Sequence, residues 1–143
     1  MGKPGYFFSE IVKLLGGECT GAGGNGLIKE LLTDSCKLSG PLHTLFFALT
    51  TARNDGHRYI RELYERGVRY FVVSSLPPDN FAGANFLVIS NPLGALQKLA
   101  AHHRAEFNFP VIGITGSNGK TIVKEWLWQL ISQEKTIDRK SVV

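Results

Sequence analysis

The chain has 143 residues, 43% hydrophobic and 20% charged, with a formal net charge of +4. That composition describes globular material with room for one full core and part of another, and it excludes disordered chains. The basic excess is spread evenly, 11 basic against 9 acidic side chains over residues 1–107 and 5 against 3 over residues 108–143, so no basic stripe points to nucleic acid. In chain order, apolar residues at 7, 8, 11, 12 and 15 predict a short amphipathic helix over residues 7–15, ended by Gly16-Gly17. Residues 27–32 and 44–49 read as strands, and residues 57–66 as a helix burying Ile60, Leu63 and Tyr64. Residues 68–74 and 86–90 are β-branched or aromatic and read as buried strands, joined through the turn Pro77-Pro78-Asp79-Asn80. Asn91 caps a long helix to about Phe107, with Leu93, Leu96, Ala100, His103 and Phe107 on one stripe, and Asn108-Phe109-Pro110 breaks it. The pattern is α/β, with one boundary near residue 108.

The last apolar run carries the chemistry. Val111-Ile112-Gly113-Ile114-Thr115-Gly116-Ser117-Asn118-Gly119-Lys120-Thr121 predicts a strand that turns through two glycines into Lys-Thr at the head of a helix. Such a turn aims successive backbone N–H groups and the positive end of a helix dipole at one point, which suits a phosphate. Lys120 would supply a mobile cation for the outer phosphates and the Thr121 hydroxyl a ligand for Mg²⁺. The strict G-x-x-x-x-G-K-[ST] pattern would place glycine at position 114, which is Ile114, so the loop is a variant. Val123, Trp126, Leu127, Leu130 and Ile131 are spaced to bury one face of the following helix. Cys19 and Cys36 lack metal-ligand spacing and read as free thiols of a reducing compartment. No segment approaches the ~20 apolar residues of a membrane span, and the expectation is a cytoplasmic protein without membrane insertion.

Two earlier segments make the pattern more specific. Asp34-Ser35-Cys36-Lys37-Leu38, then Leu45-Phe46-Phe47-Ala48-Leu49, then Asn54-Asp55-Gly56-His57-Arg58-Tyr59-Ile60 resembles the N-terminal domain of the Mur ligases, where the order is D-S-R, L-F-F-A-L and D-G-H-x-[FY]-I. The loop Ile114-Thr115-Gly116-Ser117-Asn118-Gly119-Lys120-Thr121, with Val123-Lys124-Glu125 after it, resembles the MurF type. The resemblance implies a monomeric ligase of peptidoglycan synthesis that joins D-alanyl-D-alanine to UDP-N-acetylmuramoyl-tripeptide with ATP and Mg²⁺. It implies a UDP-binding domain over residues 1–107 and the start of the ATP-binding domain over residues 108–137. Ser35, Cys36, Asp55, Gly56 and His57 would serve the UDP end of the substrate. Thr115, Gly116, Ser117, Asn118, Gly119, Lys120 and Thr121 would serve ATP, with Thr121 on the metal and no catalytic set complete within the chain. Cys36 stands where the family has arginine and Ile122 where it has a second hydroxyl, so one charged contact and one polar contact are replaced.

Residue types alone leave plainer alternatives open. Asp34-Ser35 makes a turn that bonds its own backbone, Asp55-Gly56-His57 makes a tight turn and a helix start, and His102-His103 reads as one solvated and one packed histidine. A UDP-sugar-binding module without catalysis, another Mur-type ligase and an unrelated phosphate-loop protein are the rival readings. Residues 138–143, Asp138-Arg139-Lys140-Ser141-Val142-Val143, depart from the family pattern and read as the translation of a sequencing adapter. The expectation is native sequence to about Thr136 or Ile137 and a non-native tail beyond it.

Overall fold

The computed structural model describes residues 4–134 and divides into two compact units, Met1–Phe107 and Asn108–Val143. The tail at residues 138–143 lies outside the described residues.

The first unit is built on a five-stranded sheet in the order β2-β7-β6-β5-β4. Strands β4 (Glu30–Leu32), β5 (Thr44–Phe47), β6 (Tyr70–Val73) and β7 (Asn85–Val88) run parallel, and β2 (Glu18–Gly21) closes the edge antiparallel to β7. Period-two alternation divides their side chains between two cores. Leu45, Phe47, Tyr70, Val72 and Leu87 pack with Phe8 and Ile11 of helix α1 (Phe8–Leu15) and with Ala95 and Leu99 of α3 (Pro92–Ala105). Phe46, Ala48, Phe71, Val73 and Phe86 point the other way, onto Ile60 and Leu63 of α2 (Ile60–Glu65) and onto Phe81. Both faces are covered, so the central strands are apolar apart from the buried Thr44 and Asn85 that open β5 and β7, as parallel strands usually are.

A two-stranded ribbon of β1 (Tyr6–Phe7) with β3 (Leu27–Ile28) lies beside this sheet. The connection from β2 to β3 crosses the amino ends of β6 and β7, where Gly24 N–H donates to Asn85 Oδ1 at 2.9 Å and Gly26 N–H donates to Tyr70 Oη at 2.7 Å. A Cβ on Gly26 would stand 2.5 Å from that hydroxyl. Tyr6 Oη lies 3.0 Å from His103 Nδ1 at the far end of α3, and burial first, then the Glu106 carboxylate, push the Tyr6 phenol up to about 12.

Several expectations from sequence are corrected. The run 27–32 is two strands in two different sheets, because β3 pairs with β1 and β4 with β5. The helix expected over 57–66 begins with a 3-10 turn at Gly56–Tyr59, and only Ile60–Glu65 is α-helical. Phe7 belongs to β1 and caps α1, its N–H donating to Glu10 Oε2 at 2.8 Å. The buried stripe of α3 is Pro92, Ala95 and Leu99; Leu93 is half exposed, since it sits one position off the line that faces the sheet.

In the second unit the described structure is an extended segment followed by α4 (Lys120–Ile131). Residues 111–114 form no strand: among the described residues none pairs with them, and Val111 and Ile112 are 64% and 63% exposed. No residue of α4 is buried, and Trp126, expected in a core, is 63% exposed. A helix buries its apolar stripe only against a partner surface, and the strands that would supply one are not among the described residues.

Candidate functional site

Three loops leave the carboxyl ends of the adjacent parallel strands β4, β5 and β6, the end at which open α/β sheets receive ligands. After β4, Asp34 caps a 3-10 turn at Ser35–Lys37, its Oδ1 accepting from the Cys36 N–H at 3.1 Å. The backbone-bonding turn weighed from sequence therefore forms. It leaves the Cys36 thiol exposed and Ser35 buried, with the Ser35 carbonyl accepting from Arg66 Nη1 at 2.8 Å.

After β5 the chain folds back on itself. Thr51 N–H donates to Asn54 O at 2.8 Å, Thr50 bridges to Asp55, and Gly56 N–H donates to Leu49 O at 2.9 Å. Gly56 is required by space: a Cβ there would stand 2.7 Å from Leu49 N and 2.9 Å from Ala48 Cα. All of these are backbone atoms that cannot turn away. Gly56→Ala should therefore cost about 1–3 kcal/mol in urea melts through forced displacement of this loop.

Asp55 and His57 form the polar centre of the loop. Asp55 Oδ1 accepts from His57 Nδ1 at 2.6 Å, from the His57 backbone N–H at 3.0 Å and from Thr50 Oγ1 at 3.1 Å. On the far side of the ring, His57 Nε2 lies 3.1 Å from both Ser74 N and Ser74 Oγ. The imidazole and then the backbone N–H of His57 hold the Asp55 carboxyl below the ordinary aspartate range. A lowered carboxylate contributes stability that is present above its unfolded value and lost as pH falls through the folded value. Carboxyl-carbon NMR should accordingly place the Asp55 midpoint below that of a free aspartate, and His57→Ala should raise it.

Beside His57 lies an open cleft of about 320 Å³, walled by Arg58, Arg61, Leu76, Pro77 and Phe81. The Arg61 guanidinium pairs with Asp79 at 2.7 Å across it. Sequence reading missed Ser74 and Arg66, which reach this region only across a neighbouring strand or from the end of α2, and Thr50, whose bond to Asp55 is local to the loop.

The second candidate site lies wholly in the second unit. Gly119 caps α4 in the left-handed conformation, φ 77°, which a side chain would strain. Gly116, φ 151°, precedes it, and Lys120 Nζ donates back to the Gly116 carbonyl so that the ammonium spans the loop. Thr115, Ser117, Asn118 and Thr121 are exposed around it. Among the described residues no group of three or more His, Cys, Asp or Glu is placed to hold a metal ion. No helix among them is long and apolar enough to cross a membrane.

No family model matches the sequence. The chain is 33% identical over 116 residues to the UDP-N-acetylmuramoyl-tripeptide--D-alanyl-D-alanine ligase of Bacillus subtilis, a match covering 79% of this chain and 24% of that protein. It is 30% identical over 131 residues to the Haemophilus influenzae protein of the same name, covering 92% and 26%. MurF from Acinetobacter baumannii superposes with a TM-score of 0.71 at 26% identity, over 92% of this chain and 29% of that one. The chain belongs to the Mur ligase family. These three relatives are of the MurF type, and the chain spans about a quarter of the length of the curated ligases it matches. A Mur ligase named for addition of 2,6-diaminopimelate, from Aquifex aeolicus, is also 37% identical over 97 residues, covering 64% of this chain and 19% of that protein.

Proposed function

We propose that this Mur ligase chain carries the substrate-holding domain and the opening of the ATP-binding domain of a MurF-type enzyme, the boundary falling between residues 107 and 108. In this reading Met1–Phe107 receives the UDP end of UDP-N-acetylmuramoyl-tripeptide at the carboxyl ends of β4 to β6, with Ser35, Cys36, Asp55, Gly56 and His57 shaping the pocket. Residues 108–137 begin the ATP-binding domain. Support comes from the convergence of the Asp34 turn and the Asp55 loop on neighbouring strands, in a chain whose relatives are named for UDP-N-acetylmuramoyl substrates.

The phosphate end of ATP fits the second unit: a left-handed glycine, an exposed loop and a lysine folded over it lie at the start of a helix. Thr115, Gly116, Ser117, Asn118 and Gly119 would wrap the phosphates, Lys120 would neutralise them, and Thr121 would reach Mg²⁺. In the whole enzyme ATP would phosphorylate the terminal carboxylate of the tripeptide, releasing ADP. The amine of D-alanyl-D-alanine would then attack that acyl carbon, forming the amide and releasing phosphate. Base recognition, further metal ligands and the dipeptide site would complete that reaction in the whole enzyme. The whole enzyme acts in the cytoplasm as a monomer.

Position 36 tests the reading. An arginine there offers a planar, charged, two-pronged donor where the thiol offers almost nothing. Cys36→Arg should tighten UDP binding by ~1.5–3 kcal/mol in calorimetry, the worth of a hydrogen bond to a charged group. An unchanged affinity would remove the Asp34 turn from the pocket.

A further inference from the structure

We propose that His57 is a positioning residue for the nucleotide-binding surface: it fastens the loop after β5 to the carboxyl end of β6 through Asp55 and Ser74, and offers the ligand neither ring nitrogen. This rests on the reading that UDP is received at this end of the sheet, and it refines the part His57 plays there.

The argument starts from a donor count. The Ser74 backbone N–H lies 3.1 Å from His57 Nε2 and can only donate, so Nε2 must present its lone pair. The ring proton then sits on Nδ1, 2.6 Å from Asp55 Oδ1, and is donated to that carboxylate. Both nitrogens are consumed inside the protein. The His57 side chain is 16% exposed against 58% for Asp55, so the loop presents the carboxylate and encloses the imidazole.

The placement of these bonds gives them their role. The ladder between β5 and β6 continues as far as Ala48 N–H to Val72 O, 2.9 Å. Past that point the chain after β5 turns out into residues 49–56, while the chain after β6 runs on to Ser74. Asp55, His57 and Ser74 bridge the two beyond the last ladder bond. One carboxylate oxygen thereby collects the imidazole, the His57 N–H and Thr50 Oγ1, which fixes both ends of the loop at one atom. Loss of the ring would free the loop, although no ligand contact is removed.

The test uses the 143-residue chain with ¹⁵N-labelled histidine. The expected result is a pyrrole-like Nδ1 and a pyridine-like Nε2 for His57, with slow exchange of the Ser74 amide. His57→Ala should speed Ser74 exchange and weaken binding of UDP, used as the probe, on the order of tenfold. His57→Asn, which can keep a donor toward Asp55 but is too short for Ser74, should restore order at Asp55 without restoring the Ser74 amide. A proton on Nε2 would overturn the proposal. So would unchanged Ser74 exchange in His57→Ala, or magnetisation transfer from UDP to the His57 ring. Should the alanine variant fail to fold, the tautomer of the unaltered chain still decides. If the unaltered chain does not bind UDP, the site reading fails, and the tautomer and Ser74 exchange still decide whether His57 holds the loop.

Discussion

Phe71→Ala should destabilise the first unit by about 3–5 kcal/mol. Phe71 is fully buried on β6, with β5 on one side and β7 on the other. Its ring stacks on Phe86 at 5.1 Å and 18°, and meets Phe46 edge-on at 6.4 Å. Truncation removes the transfer energy of the ring and leaves a cavity, since backbone held by two parallel neighbours cannot collapse into the space. Domains of this size are stable by roughly 5–15 kcal/mol in all, so the variant should sit near the edge of folding. A urea melt monitored by circular dichroism measures the effect, and a loss below about 1 kcal/mol would mean that the aromatic cluster is not the centre of this core.

Hydrogen exchange should separate the two units more sharply still. Val72 and Leu87 are fully buried in strands paired on both sides, so their amides should exchange only when the whole unit opens. Ile112 is 63% exposed and residues 111–114 carry no strand pairing. Its amide should exchange at least ~10³-fold faster, the ratio that separates local fraying from an opening of some 4 kcal/mol or more. Equal protection at Ile112 and Val72 would show that the second unit has found a sheet partner, for instance in another copy of the chain.

The elements read well from sequence are those whose surroundings are uniform. The runs containing Thr44–Phe47, Tyr70–Val73 and Asn85–Val88 are buried on both faces, and an unbroken apolar stretch leaves one reading. Asn91 as the cap of α3 was equally legible, because Asn91 Oδ1 accepts from Gly94 N–H within four residues of chain. β2 escaped because Glu18-Cys19-Thr20-Gly21 is short, polar and mostly exposed, and becomes a strand only when β7 offers its free edge. The break at Lys29 escaped for a related reason: its N–H donates to His43 O, a choice made by tertiary neighbours and invisible in the pattern of residues 27–32. In the site, the Asp34 and Asp55 turns are local and were readable as turns. The bonds from His57 to Ser74 span 17 residues and exist only because β5 and β6 are adjacent.

The connection that crosses the amino ends of β6 and β7 gives the two ends of the sheet different tolerances to change. There Gly24 and Gly26 spend their N–H groups on Asn85 and Tyr70, with no room for a side chain at Gly26. At the opposite end, the exposed Cys36 and the exposed carboxylate of Asp55 can be exchanged without touching that closure. A saturation library scored for both solubility and nucleotide capture should therefore fall into two sets: lesions over residues 21–26 that abolish expression, and lesions at 36 and 50–55 that leave well-expressed chains with altered ligand preference. Selection could then retune what the domain holds without renegotiating how it folds.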